Sequence, residues 1–462
     1  MKRRTKIVAT LGPVTEDKGP IRELIEAGMN IARINFSHGS YEQSTKIVKN
    51  IRQLEKETGI IVTIMADLQG PKIRLCELNE PIEVKKGDVI TFSTKAGEKG
   101  TIYIPSNPHL PKVLKKGHQL LIEDGLIRTK ILSTKNTQIK AKVLVGGLLK
   151  SKKGINIPDS SLPAAAALTK KDRADLAFAI KNLKVDAVAV SFVENATDIL
   201  RVRKEIAKHT KRPVMIIAKI ERNEALKNLG EIINVSDGVM VARGDLGIET
   251  KAERVPIEQK RIVSMARKQG KPVIIATQIL QSMIENPLPT RAEISDAAEA
   301  VFEHADAFML SNESAVGAYP VKAVQTLAKV ARVTEQEIFK NSDLFPIPLH
   351  TKTDEDESMA LNACVLADDI DATAIVVLTK GGYTARAVLK HRPKTPVIVV
   401  TNSEEQAHSL NMLWGIREIV VYKGKMHSED VKNELKRLKI LKAKDKAVFV
   451  KLSDTKRSFV VF

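Results

Sequence analysis

Lys219 and Glu221 stand two residues apart, at the end of the apolar run Val214-Met-Ile-Ile-Ala218. On an extended segment they point the same way. A second apolar run, Val239 to Ala242, ends in Arg243, Gly244, Asp245 and Gly247. Charge beside glycine at the end of a buried strand delivers a carboxylate to a site and then turns. The glycines let backbone come close to a ligand, and free N–H groups there can hold an anion. Glu221 and Asp245, at neighbouring strand ends, offer oxygen ligands to Mg²⁺, and Lys219 offers a cation to a transferring charge. The competing reading is two surface salt bridges at loop starts.

Such strand ends recur. Apolar runs lie at Thr5–Thr10, Asn30–Ile34, Ile61–Ala66, Ala187–Phe192, Val214–Ala218, Val239–Ala242, Val273–Ala276 and Ala307–Leu310, with helical patterns such as Ala252–Gln269 and Arg291–His304 between them. Alternation of this kind predicts an α/β fold, a parallel (β/α)₈ TIM barrel, with its site at the carboxyl ends of the strands. The polar residues fall where that rule puts them. Strand two ends in Arg33, Asn35, Ser37 and His38, and strand three in Asp67. Strand seven ends in Thr277 and Gln278, and strand eight in Ser311 and Glu313. His38, Gln278, Ser311 and Glu313 read equally well as braces behind the contacts.

The spacing breaks between strands three and four. Pro81–Thr94 alternates apolar and charged residues, with turns at Lys86-Gly87 and Ala96-Gly97, and Leu120–Val145 holds an Asp124-Gly125 turn between alternating runs. These are antiparallel hairpin signals. They predict a small β-barrel domain over 71–165, inserted into a barrel loop as a lid. The catalytic barrel is then 1–70 with 166–345. Ser151-Lys-Lys-Gly154 reads either as a phosphate contact or as a solvated basic turn. Asn341–Thr353, with Pro346 and Pro348, reads as a linker. Beyond it, 346–462 reads as a C-terminal α/β regulatory domain. Its loop Thr379-Lys380-Gly381-Gly382-Tyr383-Thr384 runs from strand to helix, as an effector phosphate site or as a tight packing turn.

Composition narrows the classes. A chain of 462 residues with 43% apolar content buries more than one core. The net charge of +19 is spread along the sequence, with no arginine-rich tail, and aromatics are only 4%, which argues against stacking on nucleobases. A basic surface also steers small polyanions. Cys76 and Cys364 have no metal-type spacing and read as free thiols of a reducing compartment. No run reaches membrane-spanning length, and the segment after Met1-Lys-Arg-Arg-Thr-Lys6 is too short for a signal peptide. The expectation is a cytoplasmic protein with neither nucleic acid nor membrane as partner.

The segments TKIVATLGP, MNIARINFSHG, GPKIR, SKKGINIP, IIAKIE, DGVMVARGDLG, KPVIIATQIL, PTRAEISD and MLSNESAVGAYP, in this order, resemble the pyruvate kinase family over essentially the whole chain. The resemblance implies phosphoryl transfer from phosphoenolpyruvate to ADP, giving pyruvate and ATP. It implies Glu221 and Asp245 as ligands of Mg²⁺ (or Mn²⁺) and Lys219 as the stabiliser of the transferring group. It implies Thr277 as the holder of the water that protonates the enolate, and Arg33 and Arg74 as phosphate clamps. Backbone near Gly244 and Asp245 then takes the substrate carboxylate. Asn35, Ser37, His38, Arg74 and Lys153 resemble nucleotide-side contacts. A homotetramer is implied as well.

The sequence departs from the family at strand three. Most members read D-T-K-G-P-E-I-R and depend on K⁺, whereas this chain reads Asp67-Leu-Gln-Gly-Pro-Lys-Ile-Arg74. This resembles the K⁺-independent branch. Lys72 is expected to supply the charge that K⁺ otherwise brings, leaving Asn35, Ser37, Asp67 and the Leu68 carbonyl as a vestigial pocket. Strand eight carries S-N-E-S in place of the usual S-G-E-T, and the glycine-rich loop before the last strand is missing. Other readings are an Mg²⁺-dependent phosphoenolpyruvate or pyruvate lyase or aldolase, and an inactive basic scaffold.

Overall fold

The computed structural model describes residues 2–37, 39–105, 110–123, 125–158, 168–341, 354–452 and 458–462. Eight parallel strands close into a barrel: β1 (Lys6–Thr10), β2 (Ile31–Asn35), β3 (Thr63–Asp67), β4 (Ala187–Val190), β5 (Met215–Ile220), β6 (Gly238–Ala242), β7 (Val273–Ala276) and β8 (Ala307–Leu310). Each pairs with its neighbour in sequence order, and β1 closes on β8. The strands read as continuous apolar runs because both faces are buried. In β4, Ala187 and Ala189 face the barrel interior with Met65, Ile217, Met240 and Ile274, while Val188 and Val190 face the helices.

The 18-residue helix Tyr41–Thr58 starts at Ser40, whose side chain accepts from the Gln43 amide, and stops at Gly59, in the left-handed conformation at φ 70°. Helix Arg291–Phe302 begins on a capping box between Thr290 and Glu293. The expected helix Ala252–Gln269 is a 3₁₀ turn, Ala252–Arg254, running into Val255–Lys268. One expectation fails outright. The Arg-Gly-Asp-Leu-Gly stretch after β6 does not turn as a loop but continues as helix Arg243–Glu249. Burial of Leu246 and Glu249 overrides the low helix propensity of two glycines.

Between β3 and β4 the chain forms a seven-stranded sheet and a separate two-stranded ribbon, Ile82–Val84 with Gly147–Leu149, packed around one core that includes Phe92, Ile131 and Ile139. Among the described residues this ladder does not close on itself. The second alternating run of the expected hairpin is two strands, Ile127–Lys135 and Gln138–Val145, reversed at Asn136, whose φ is 52°. Asparagine tolerates that region, so no glycine marks the turn. Asp124 lies outside the described residues, as do 159–167 and most of the expected linker, including Pro346 and Pro348.

The C-terminal unit is a five-stranded sheet of β9 (Ala374–Leu378), β10 (Val397–Thr401), β11 (Ile416–Val421), β12 (Ala447–Lys451) and β13 (Ser458–Val461), ordered β11-β10-β9-β12-β13, with β13 antiparallel. It closes the amino end of the barrel. Met412 joins the interior core, and the Asn411 amide donates to the Asn30 and Ile61 carbonyls. Buried Asp306, just before β8, takes both terminal nitrogens of Arg392, at 3.1 and 3.0 Å, and the backbone amides of Trp414 and Val273. Arg4 lies over the Phe339 and Trp414 rings and donates to the Pro393 and Lys394 carbonyls.

Candidate active site

At the carboxyl end of the barrel three strands, β3, β4 and β5, converge on Lys219. Its ammonium lies 2.7 Å from Ser191 Oγ, 3.0 Å from Glu221 Oε1 and 3.3 Å from Asp67 Oδ1. Burial alone would lower its pKa, but the Asp67 and Glu221 charges outweigh that and raise it, so the lysine is held as a cation. Asp67 is 1% exposed. Burial opposes its ionisation, yet Lys219 and Arg33 hold its carboxyl below the ordinary range. Arg33 reaches Asp67 Oδ2 through Nε at 2.7 Å and Thr10 Oγ1 through Nη1 at 2.8 Å. This side chain is gripped on two sides and aimed, as a clamp must be.

Glu221 is fixed from the other direction. The Phe192 amide donates to its Oε2 at 2.7 Å. Burial raises its pKa, Lys219 works against that, and the nearby Asp245 carboxylate raises it further. A buried carboxylate whose charge is disfavoured by a neighbouring carboxylate fits a divalent cation. Among the described residues no group of three or more His, Cys, Asp or Glu gathers for a metal. One or two carboxylates, completed by water and substrate oxygens, is the donor set Mg²⁺ favours, since it dehydrates reluctantly.

Thr277 and Gln278 follow β7 with φ of 69° and 56°, left-handed values that side chains rarely adopt. The Arg243 guanidinium holds this corner by donating to the Thr277 and Gln278 carbonyls, and is anchored to Asp296 at 2.7 Å. The strained turn brings Thr277 Oγ1 to the Gly244 amide at 2.8 Å. A Cβ at Gly244 would lie 3.4 Å from that hydroxyl, an ordinary contact, so the approach itself does not require glycine. Glu313 accepts from the Ser311 and Leu280 amides, which makes it a brace.

The structure thus gathers Arg33, Asp67, Lys219, Glu221, Asp245, Gly244 and Thr277. Of the nucleotide-side set, Asn35 lies beside Asp67 across the β2–β3 pair. Asn35 Oδ1 accepts from the Ser37 amide, Arg74 donates to the Lys152 carbonyl, and Lys153 pairs with Glu123 at 2.6 Å inside the inserted unit. His38 lies outside the described residues. The Lys72 ammonium pairs with Asp245 Oδ1 at 2.9 Å, and the Leu68 carbonyl accepts from Ser191 Oγ. In the C-terminal unit, Thr379 Oγ1 accepts from the Gly382 amide and closes the turn, while Thr384 Oγ1 donates to the Leu452 carbonyl and ties the loop to the end of β12. Lys380 and Gly381 line a cavity of about 340 Å³ there.

Sequence reasoning missed Ser191, which orients Lys219, although it ends β4 in the same way that the named residues end their strands. It also missed Arg243 and Asp296 as the support of the Thr277 corner, because Asp296 lies on a later helix.

The chain matches the family "Pyruvate kinase, barrel domain" over residues 2–324 and "Pyruvate kinase, alpha/beta domain" over 357–458. It is 42% identical to the pyruvate kinase of Geobacillus stearothermophilus over 421 residues, covering 90% of this chain and 71% of that one. It is 38% identical to the pyruvate kinase of Thermotoga maritima over 455 residues, covering 98% and 96%. A crystal structure of a pyruvate kinase from Cryptosporidium parvum superposes with a TM-score of 0.91 at 34% identity, covering 100% of this chain and 96% of that one.

Proposed function

The chain belongs to the pyruvate kinase family, and from that premise we propose how its residues carry the reaction. The enzyme moves the phosphoryl group of phosphoenolpyruvate onto ADP, giving pyruvate and ATP. The observation that carries the residue assignment is the Lys219 ammonium, 3.0 Å from Glu221 with Asp245 in the same field.

Pyruvate kinases generally use Mg²⁺. Held by Glu221 and Asp245, it would supply charge neutralisation at substrate oxygens. Lys219 stands over the migrating group and offsets its developing charge, in a position already set by Ser191 and Asp67. Little covalent work is asked of the protein, so positioning and electrostatics dominate. Arg33 clamps the phosphoryl oxygens, with Arg74 joining it from the inserted unit. The Gly244–Asp245 backbone takes the substrate carboxylate. As the enol oxygen releases its phosphoryl group to an ADP oxygen, the enolate gains a proton at carbon from a water held by the Thr277 hydroxyl. Asn35, Ser37, His38 and Lys153 serve the nucleotide, so 71–165 acts as a lid that must descend on the barrel formed by 1–70 and 166–345. The unit 346–462 is regulatory, with Thr379, Lys380, Gly381, Gly382 and Thr384 as its effector loop. A cytoplasmic homotetramer is the proposed assembly. No helix among the described residues is long and apolar enough to cross a membrane.

Activity without K⁺ is assigned to Lys72, whose ammonium, once released from Asp245, replaces the ion beside Asn35, Ser37, Asp67 and Leu68. A coupled pyruvate assay tests both levels. Turnover should require ADP and Mg²⁺ and proceed with only Na⁺ or Tris present. Pyruvate release without nucleotide would refute the kinase mechanism. A large activation on adding K⁺ would refute the role of Lys72 alone.

A further inference from the structure

The two chain segments that join the inserted unit to the barrel are fastened to one short helix. The outgoing segment carries Lys72, whose ammonium pairs with Asp245 Oδ1 at 2.9 Å. The returning strand, Gly154–Asn156, carries Asn156, whose amide donates to Glu249 Oε1 at 3.1 Å. Asp245 and Glu249 belong to helix Arg243–Glu249 and are four residues apart, so they share a face. The two segments also pair with each other, Ile73 opposite Ile155. Gly154 makes room for the lysine: a Cβ there would lie 2.7 Å from Lys72 Cε. The Lys72 stem is therefore laid across the returning strand and aimed at Asp245.

One carboxylate oxygen cannot serve a close ammonium and a divalent ion at once. Mg²⁺ sits about 2.1 Å from its oxygens, which would bring the two like charges nearly into contact. Lys219 also lies 3.0 Å from Glu221 Oε1, but Asp67 and Ser191 hold it independently, so it keeps partners when an ion takes that oxygen. The Lys72 ammonium, by contrast, is held by Asp245. We infer that Lys72 is a displaceable counter-ion: it occupies Asp245 when the divalent ion is away, and entry of the ion releases it and unfastens the outgoing segment of the inserted unit. Asn156–Glu249 stays made and acts as the pivot. The inference rests on the proposed metal role of Glu221 and Asp245.

The full chain is titrated with Mn²⁺ alone, and free Mn²⁺ is read by electron paramagnetic resonance. Lys72→Met should bind Mn²⁺ several-fold tighter, about fivefold for loss of a partly buried competing pair. Lys72→Gln should move in the same direction, and Lys72→Arg should restore parental affinity. Hydrogen exchange is followed in parallel. Mg²⁺ should speed exchange at 71–79 in the parent and leave Lys72→Met, already fast there, unchanged. Equal or weaker Mn²⁺ binding by Lys72→Met, or parental exchange at 71–79 that ignores Mg²⁺, would overturn the inference. Glu221→Gln separates the premise from the latch. If that variant binds Mn²⁺ as the parent does, the metal assignment itself falls.

Discussion

Replacing Lys219 by methionine removes one charge and almost no volume. The ammonium it deletes is fixed within 3.3 Å of three oxygens. A unit charge about 4 Å from the charge building on the migrating phosphoryl group contributes about 4 kcal/mol at an effective dielectric of 20. That corresponds to roughly three decades in rate. The fold should survive. Asp67 keeps Arg33, and Glu221 keeps the Phe192 amide and takes up a proton more readily once its cation is gone. Breaking a buried pair costs about 3–5 kcal/mol when the remaining charge is stranded, and these partners keep the loss toward the low end. The pH dependence of stability follows from the direction of each shift. The raised lysine contributes fully below its unfolded pKa near 10.4 and is lost only as pH rises through the higher folded value. The lowered Asp67 contributes above about 3.9 and is lost only as pH falls through its lower folded value. Lys219 and Asp67 therefore add no slope between pH 6 and 9, and any pH dependence of the parent–variant difference there belongs to Glu221, whose raised pKa rises further in the variant. The assay is kcat by coupled pyruvate detection, with Mn²⁺ affinity and urea midpoints measured beside it. A folded Lys219→Met that binds Mn²⁺ and loses less than tenfold in kcat would refute the electrostatic role. A kcat loss that tracks lost Mn²⁺ binding would reduce the lysine to a prop for the carboxylates.

Two further outcomes test the rest of the structure. Asp306→Asn should cost about 3–5 kcal/mol, because it leaves Arg392, 3% exposed, without its bidentate partner at the junction of barrel and C-terminal unit; a urea midpoint within about 1 kcal/mol of the parent would show that the junction does not depend on this pair. His304 is held neutral by burial, with help from Arg392 and Arg267, and its pKa is pushed down to about 3. The unfolded chain binds this proton first, so stability should fall as pH drops below 6.5, by at most about 1.4 kcal/mol per unit. His304→Gln should flatten that slope between pH 6.5 and 5, and urea melts at both pH values that lose equal stability in parent and variant would contradict the linkage.

The barrel was legible because its strands are apolar on both faces and are punctuated by polar residues at one end. Arg33, Asp67, Lys219, Glu221, Asp245 and Thr277 could be placed by that rule alone. Helix Arg243–Glu249 was not legible, since its local residues disfavour a helix and burial decides the outcome. The turn at Asn136 was missed because an asparagine in left-handed geometry leaves no glycine to read. The amino-end junction depends on partners such as Arg4 with Pro393, or Asp306 with Arg392, that no local pattern connects. The partner of Lys72 belongs to the same class: its charge was evident, but its direction depends on the space left by Gly154.

The corner at Thr277 and Gln278 sets endurance against aptitude. Two successive side-chain-bearing residues in left-handed geometry store about 1–3 kcal/mol each. Glycine at either position would relax the backbone, and glycine at 277 would also delete the hydroxyl that meets Gly244. A lineage moving to hotter surroundings therefore has an easy route to toughness at this corner, but taking it at 277 would remove the hydroxyl proposed to hold the proton-donating water. The Arg243 tether, which holds the turn from outside, is the compromise this chain has adopted.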